Sequence, residues 1–147
     1  MKIALACDHG GFALKQSILQ FLIEQGYECK DFGCYDETSI DYSDFAFPAC
    51  EAVADGAFDR GIVICTTGIG VSICANKVKG IRCSLCTNLL TAEMTRRHND
   101  ANVLALGAKV VDDATAKEIV SVWLATAFEG GRHARRIGKI TEYENNH

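Results

Sequence analysis

The residues best suited to acid–base chemistry are a cysteine, two histidines and an aspartate next to apolar segments. Asp8 and His9 follow one strand-like pattern, Cys65 closes another, and His98 follows a helical pattern. Imidazoles titrate near neutral pH and a thiol can be tuned to do so, which suits both groups to moving protons. These residue types indicate proton transfer, although each histidine could equally serve as a helix cap or a core residue.

Cys65 is followed by a glycine-containing turn and then by a helical pattern. Gly68 and Gly70 permit backbone conformations closed to other residues and let a ligand approach the main chain. A helix that begins at such a turn offers free N–H groups and a partial positive charge to an anion. The same dipole favours the thiolate form of Cys65. The sequence thus predicts an anion site with a reactive thiol at its lip; the alternative is a plain strand-to-helix turn.

The sequence does not match the common motifs for binding nucleotides or metals. Ile73 stands where the dinucleotide fingerprint needs its third glycine, and no Gly-Lys-Ser/Thr follows the turn as in a Walker loop. Cys83 and Cys86 form a C-x-x-C pair, but no second such pair and no H-x-x-x-H accompanies it. We therefore expect no cofactor and no metal.

The C-terminal tail is basic within an acidic chain. Arg132 and Arg136 are four residues apart and share one helix face. Two adjacent guanidinium groups favour an anion between them, and a phosphate fits, although a solvated helix face is the common alternative. Because only Ile137 and Ile140 can anchor the tail, we expect it to pack on a second subunit.

Strand and helix patterns alternate along the chain. The predicted strands are Lys2–Cys7, Tyr27–Phe32, Gly61–Cys65, Ile81–Cys86 and Asn102–Leu106. Between them, the sequence predicts a polar loop over Cys34–Ser43, helices over Ser72–Val78 and Leu89–Arg97, and a later helix capped by Asp112. This order predicts an α/β fold: a doubly wound, Rossmann-like, five-stranded parallel sheet with helices on both faces and a C-terminal helical arm over residues 130–147. Such sheets bind ligands at the carboxyl ends of their strands. The residues expected to gather there are Asp8, His9, Cys65, Thr67, His98 and Asn99.

Composition limits the classes of function. The 147 residues predict one domain, 1–147, and the net charge of −4 argues against a nucleic-acid partner. No apolar run is long enough for a bilayer, so we expect no membrane partner. Asp8 comes too early for a signal peptide, which predicts a soluble, cytoplasmic protein with its eight cysteines reduced.

Several motifs together resemble one known family across nearly the whole chain. They are Cys7-Asp8-His9-Gly10-Gly11, Cys65-Thr66-Thr67-Gly68-Ile69-Gly70, Ala75-Asn76-Lys77, His98-Asn99-Asp100 and Glu129-Gly130-Gly131-Arg132-His133. In this order they are similar to the ribose-5-phosphate isomerase B family, which is related to galactose-6-phosphate and allose-6-phosphate isomerases.

The resemblance implies a cofactor-free aldose–ketose isomerase that acts on a phosphosugar through a cis-enediolate. Cys65 matches the base that moves a proton between C1 and C2, and Thr67 matches a hydroxyl that helps to move protons among the oxygens. His98, aided by Asp8, matches the acid that opens the furanose ring. The turn Thr66-Thr67-Gly68-Ile69-Gly70 matches the anion hole, and Asn99 matches a ligand of a substrate hydroxyl. The matching phosphate-binding residues are His9, Lys109, Arg132 and Arg136. In this family the active sites lie at a homodimer interface, so the resemblance implies a homodimer. A tetramer is the alternative assembly.

Three positions depart from the family pattern. Thr66 stands where glycine is usual, and Lys109 stands where arginine is usual. Ser43 follows Asp41-Tyr42, where the family pattern Asp-Tyr-Pro expects a proline. These departures leave the substrate open between ribose 5-phosphate and a six-carbon phosphosugar such as allose or galactose 6-phosphate. A non-catalytic sugar-phosphate-binding module is the other alternative, but simple binding needs neither a thiol base nor a ring-opening acid.

Overall fold

A computed structural model describes the whole chain, residues 1–147. Its centre is a five-stranded sheet in the order β2-β1-β3-β5-β4, with every neighbouring pair parallel. The strands are β1 (Lys2–Cys7), β2 (Glu28–Asp31), β3 (Arg60–Cys65), β4 (Cys83–Leu85) and β5 (Val103–Gly107). The middle strands are buried and apolar because helices cover both faces.

Six α-helices follow the strands. They are α1 (Phe12–Glu24), α2 (Ser43–Ala54), α3 (Ile69–Lys77), α4 (Leu89–Asn99), α5 (Asp113–Ala125) and α6 (Arg132–Asn146). Alternate strand residues point to opposite faces, so the core has two layers. One layer packs α1, α4 and α5 on the sheet, and the other packs α2 and α3. The predicted fold class is confirmed.

Some element boundaries differ from the sequence prediction. α3 begins at Ile69 rather than Ser72, because Gly68 adopts the left-handed conformation that ends the turn there. α4 continues beyond its predicted end at Arg97 and includes Asn99. The residue that follows, Asp100, caps the helix in the left-handed conformation with a φ of 46°. β4 keeps only three residues because it is an edge strand with one neighbour. Asp112 caps α5 as predicted, with its side chain accepting the Thr115 N–H.

The C-terminal helix α6 is attached to the rest of the chain mainly through its first turn. His133 is its single buried residue, whereas Ile140, predicted to be an anchor, is exposed. Near the other end, the Glu144 carboxylate accepts the Gly80 N–H at 3.0 Å. None of the helices combines the length and apolar content needed to cross a membrane.

A fully buried lysine ties α1 to the loop after β2. Lys15 Nζ lies 2.7 Å from Asp31 Oδ1 and also donates to the Cys34 carbonyl oxygen. Asp31 Oδ1 in turn accepts the Gly33 N–H at 2.8 Å. Burying an ammonium is costly unless its charge is paired and its N–H groups are bonded. Here Asp31 pairs the charge, and two of the three N–H groups have acceptors. This loop leads to Ile40, which contacts a predicted site residue.

Replacing Lys15 is expected to destabilise the fold. Lys15→Met keeps the apolar stem but leaves Asp31 and the Cys34 carbonyl without their partner, at a cost of about 3 kcal/mol in the free energy of unfolding. Lys15→Met/Asp31→Asn removes the unpaired charge and should recover about 1 kcal/mol. Urea denaturation measures both values.

The matched control is Lys2→Met, which removes the exposed ion pair between Lys2 and Glu28 on neighbouring strands. Its effect should stay within about 0.5 kcal/mol. Equal effects of Lys15→Met and Lys2→Met would show that the buried pair contributes no more to the free energy of unfolding than the exposed pair does.

Candidate active site

The carboxyl ends of β1 and β3 meet where the winding of the sheet reverses. β1 and β3 are neighbours, with β2 outside β1 and with β5 and β4 outside β3. Ligands of doubly wound sheets bind in the crevice at such a reversal. Asp8 directly follows β1, and Cys65 is the last residue of β3, so both lie at this crevice.

The turn after β3 holds Cys65 in place. Its side chain is 5% exposed, and its Sγ accepts a hydrogen bond from the Gly68 N–H at 3.1 Å. An N–H donor stabilises an anionic sulfur more than a neutral thiol. This contact is compatible with the predicted role of Cys65 as a base, which stays a prediction.

Two glycines of this turn lie in close contact with their neighbours. Gly68 has a φ of 80°, and a Cβ there would lie 2.8 Å from the Leu106 carbonyl carbon. A Cβ on Gly70 would lie 2.8 Å from the Tyr42 ring. Gly68, the N-cap residue of α3, has no side chain to cap the helix, and Thr67 Oγ1 accepts only the first N–H, that of Ile69. The following N–H groups of the first turn lie at the crevice. This geometry fits the predicted anion hole.

Both threonines of the turn have defined contacts. Thr66 packs against Gly10, where a Cβ would lie 2.1 Å from Thr66 Oγ1. The Thr66 carbonyl accepts the Lys109 N–H at 2.9 Å, which brings Lys109 from the end of β5 to the same edge. Thr67 is exposed, and its Oγ1 accepts the Ile69 N–H at 3.3 Å.

Asp8 and His9 form the other side of the crevice. The Asp8 side chain is 7% exposed, and its Oδ1 caps the short turn His9–Gly11 by accepting the Gly11 N–H at 3.1 Å. His9 Nδ1 accepts the Ile40 N–H at 3.2 Å. Because Nδ1 is the acceptor, a neutral His9 carries its proton on Nε2, which leaves that N–H free to donate to a ligand.

Tyr42 is a residue of the crevice that sequence reasoning did not single out. It is half-exposed, and its ring lies against Gly70 at the mouth of the anion hole. In the sequence, it was only part of the polar loop after β2. The one signal available was Gly70, because a glycine inside a helical pattern implies a close neighbour.

The prediction that His98 and Asn99 join the carboxyl edge is wrong within one chain. They end α4, and a helix between parallel strands returns the chain to the opposite, amino edge. The Asn99 carbonyl accepts from Arg82 Nε at 2.8 Å, and Arg82 immediately precedes β4. The segment before α6 lies at this edge too, since the Glu129 N–H donates to the Arg97 carbonyl.

The predicted site residues therefore divide into two groups on opposite edges of the sheet. The carboxyl-edge group is Asp8, His9, Cys65, Thr66, Thr67, Gly68, Ile69, Gly70 and Lys109. The amino-edge group is His98, Asn99, Arg132 and Arg136. Four residue-to-residue rises separate these edges, since Gly61 pairs with Val103 and Cys65 with Gly107. Four rises along a strand correspond to roughly 13 Å.

His98, Glu129 and His133 form a compact cluster at the amino edge. Ligand atoms of the three lie within 4.8 Å of one another, close enough to raise the question of a metal. The two imidazole rings are stacked, with centroids 4.2 Å apart and planes inclined by 11°. A metal binds an imidazole in the plane of its ring, and nearly parallel rings do not direct their lone pairs to one point. The arrangement fits ring stacking better than metal ligation.

Comparison with known proteins connects this geometry to a family. The family model described as Ribose/Galactose Isomerase matches residues 3–140. Ribose-5-phosphate isomerase B of Escherichia coli is 48% identical over 143 residues, which cover 97% of this chain and 96% of that relative.

Solved structures agree with this match. Ribose-5-phosphate isomerase B of Clostridium thermocellum has a TM-score of 0.98 at 55% identity, covering 99% of both chains. The Mycoplasma genitalium enzyme, solved with bound ribulose 5-phosphate, has a TM-score of 0.96 at 42% identity, covering 99% of this chain and 97% of that one. The chain belongs to the ribose/galactose isomerase family.

Proposed function

We propose that this protein is an aldose–ketose isomerase that interconverts ribose 5-phosphate and ribulose 5-phosphate. The observation that carries the proposal is the buried Cys65 thiol, which accepts a main-chain N–H beside the N-terminus of α3. Isomerisation needs a base next to donors that stabilise the oxyanion developing on the sugar, and this turn supplies both. The ribulose 5-phosphate bound to the Mycoplasma relative supports the five-carbon substrate.

The proton chemistry is divided between the two edges. Cys65 takes the proton from one of C1 and C2 and returns it to the other, while N–H groups of the turn from Thr66 to Gly70 stabilise the enediolate. Thr67 passes protons between the two oxygens. His98, aided by Asp8, protonates the ring oxygen so that the furanose opens. Each step needs only groups of ordinary acid–base character, so it requires no cofactor and no metal.

The remaining residues bind parts of the substrate far from the reacting carbons. Asn99 hydrogen-bonds a sugar hydroxyl. The phosphate is held by the Nε2–H of His9, by Lys109 and by the guanidinium groups of Arg132 and Arg136, which stay charged at neutral pH. Such contacts hold the reacting carbons against Cys65 and so lower the barrier.

We further propose that each site is assembled from two copies of the chain. Within one chain, a strand length of roughly 13 Å separates Cys65 from the amino edge where His98 lies, which is too far for both to reach the reacting end of one pentose phosphate. A second copy that presents its amino edge to the crevice brings the two groups together. This assembly also gives α6 a surface to pack on.

Exposed apolar side chains beside the crevice support such an interface. Ile69 and Ile73 lie four residues apart on α3 and are 53% and 56% exposed. Tyr42 and Val110 are further exposed apolar residues in loops at the carboxyl edge. Burying these exposed apolar side chains against a second copy would stabilise a dimer.

The roles of Cys65 and His98 are separable by substrate. Ribulose 5-phosphate cannot close a furanose ring, because its C5 oxygen is phosphorylated, so exchange of its C1 proton in deuterated water needs only the base. Cys65→Ala should lower this exchange by about 10³-fold, whereas His98→Ala should slow turnover of cyclic ribose 5-phosphate by about 10²-fold and leave exchange nearly intact. NMR follows the exchange, and a coupled assay follows turnover. Equal loss of exchange in both variants, with the fold intact, would contradict this division.

Mixing two inactive variants tests the shared site. If Cys65 and His98 of one site come from different chains, a heterodimer of Cys65→Ala and His98→Ala chains has one intact site. Random exchange of subunits should then restore about a quarter of wild-type turnover of ribose 5-phosphate.

The matched control mixes Cys65→Ala with Thr67→Ala, two residues of the same edge. Their heterodimer carries one substitution in each site, so no activity should return. Failure of the Cys65→Ala and His98→Ala mixture, with subunit exchange verified by mass spectrometry, would place both residues in a site formed by one chain.

Phosphate binding by the tail predicts a selective effect on substrate affinity. Arg136→Ala removes a charge-assisted hydrogen bond and should raise KM for ribose 5-phosphate by about 10-fold or more. Arg135→Ala, at the adjacent exposed position and off the shared face of Arg132 and Arg136, should leave KM near the wild-type value. Unchanged KM together with a lowered unfolding temperature for Arg136→Ala would assign the arginine a structural role.

A further inference from the structure

The most unusual packing at the amino edge is the stack of two histidine rings. His98 ends α4 and is partly buried, while His133 lies in the first turn of α6 and is 5% exposed. Their ring centroids are 4.2 Å apart and their planes nearly parallel. The proposed roles of the site residues leave His133 without a function, although it is the one buried residue of its helix.

Glu129 lies beside the ring of His133. His133 Nε2 is 3.3 Å from Glu129 Oε2, within ion-pair distance but without the alignment of a hydrogen bond. Glu129 Oε1 accepts from Arg97 Nε at 2.6 Å, and the Glu129 N–H donates to the Arg97 carbonyl. Arg97 also pairs with Glu93 one turn earlier on α4. The carboxylate that borders His133 is thus held from α4, the helix that carries His98.

The surroundings of the stack disfavour a charge on His133. The pKa of His133 is held below its usual value, first by burial and then by its neighbours His98 and Arg132. The hydrogen bond from Arg97 lowers the pKa of Glu129, which stays a carboxylate. Two stacked imidazolium rings would repel each other, so the buried ring of His133 stays neutral.

We propose that His133 is a positioning residue for His98: its buried, neutral ring forms a flat support that holds the His98 imidazole in the orientation from which it protonates the sugar ring oxygen. This inference rests on the proposed function of His98. A general acid gains its effect only when its proton points at the acceptor, so loss of the support should reduce ring opening and spare proton transfer at Cys65.

Two substitutions at position 133 separate the flat ring from its burial. His133→Leu fills the buried space without a flat ring and should lower kcat for cyclic ribose 5-phosphate by about 10-fold, with KM within about 2-fold. His133→Phe restores a stacking ring and should return kcat to within about 3-fold of wild type. In both variants, C1 exchange of ribulose 5-phosphate should stay within about 2-fold of wild type.

The matched control is His147→Ala. His147 stacks on Tyr143 at the far end of the same helix, with centroids 4.0 Å apart, so the change removes a stacked imidazole away from His98. Its kcat should equal the wild-type value. Circular dichroism and the solution mass establish that each variant keeps its fold and assembly.

Several results would overturn the inference. Equal loss of turnover and exchange in His133→Leu would make His133 structural, and a raised KM at constant kcat would make it a substrate ligand. A folded His133→Phe that loses ring opening would exclude support by stacking. His98→Ala is measured in parallel: if it turns over cyclic ribose 5-phosphate normally, the proposed function of His98 fails. If it is slow while His133→Leu is not, only the positioning role fails.

Discussion

Parallel pairing of all five strands is the constraint on which the rest of the molecule depends. Each strand must end at one edge of the sheet, and each helix must return the chain to the other. A residue that ends a strand, such as Cys65, and a residue that ends a helix, such as His98, are therefore held apart. The strand–helix–strand connections that make the sheet parallel therefore also place the acid–base groups Cys65 and His98 on opposite edges of it.

The carboxyl edge owes its geometry to contacts that begin in the interior. Lys15 fixes the loop after β2 through Asp31 and the Cys34 carbonyl, and the same loop supplies the Ile40 N–H that orients His9. On the opposite side of the crevice, the Thr66 carbonyl is paired with Lys109 beyond β5. The crevice is therefore bounded by segments anchored in the core, as preorganised catalysis requires.

The sequence was most informative where local pattern decides the structure. The limits of β1, the end of β3 at Cys65 and the Asp112 cap were predicted from apolar runs and cap chemistry, which depend on neighbours in the chain. His98 was misplaced although the order of elements already determines which edge a helix end must reach. Lys15, Tyr42 and His133 could not be found in this way, because their roles depend on residues distant in sequence. A buried lysine in particular looks like an ordinary polar position until Asp31 is brought beside it.

The contact between Gly10 and Thr66 restricts how this chain can evolve. Thr66 Oγ1 already occupies the space that a side chain at position 10 would need. An alanine at position 10 would therefore clash with Thr66 in this chain, whereas glycine at position 66 would leave that space free. A substitution at one position is thus coupled to the residue at the other, although the two are 56 positions apart in the chain.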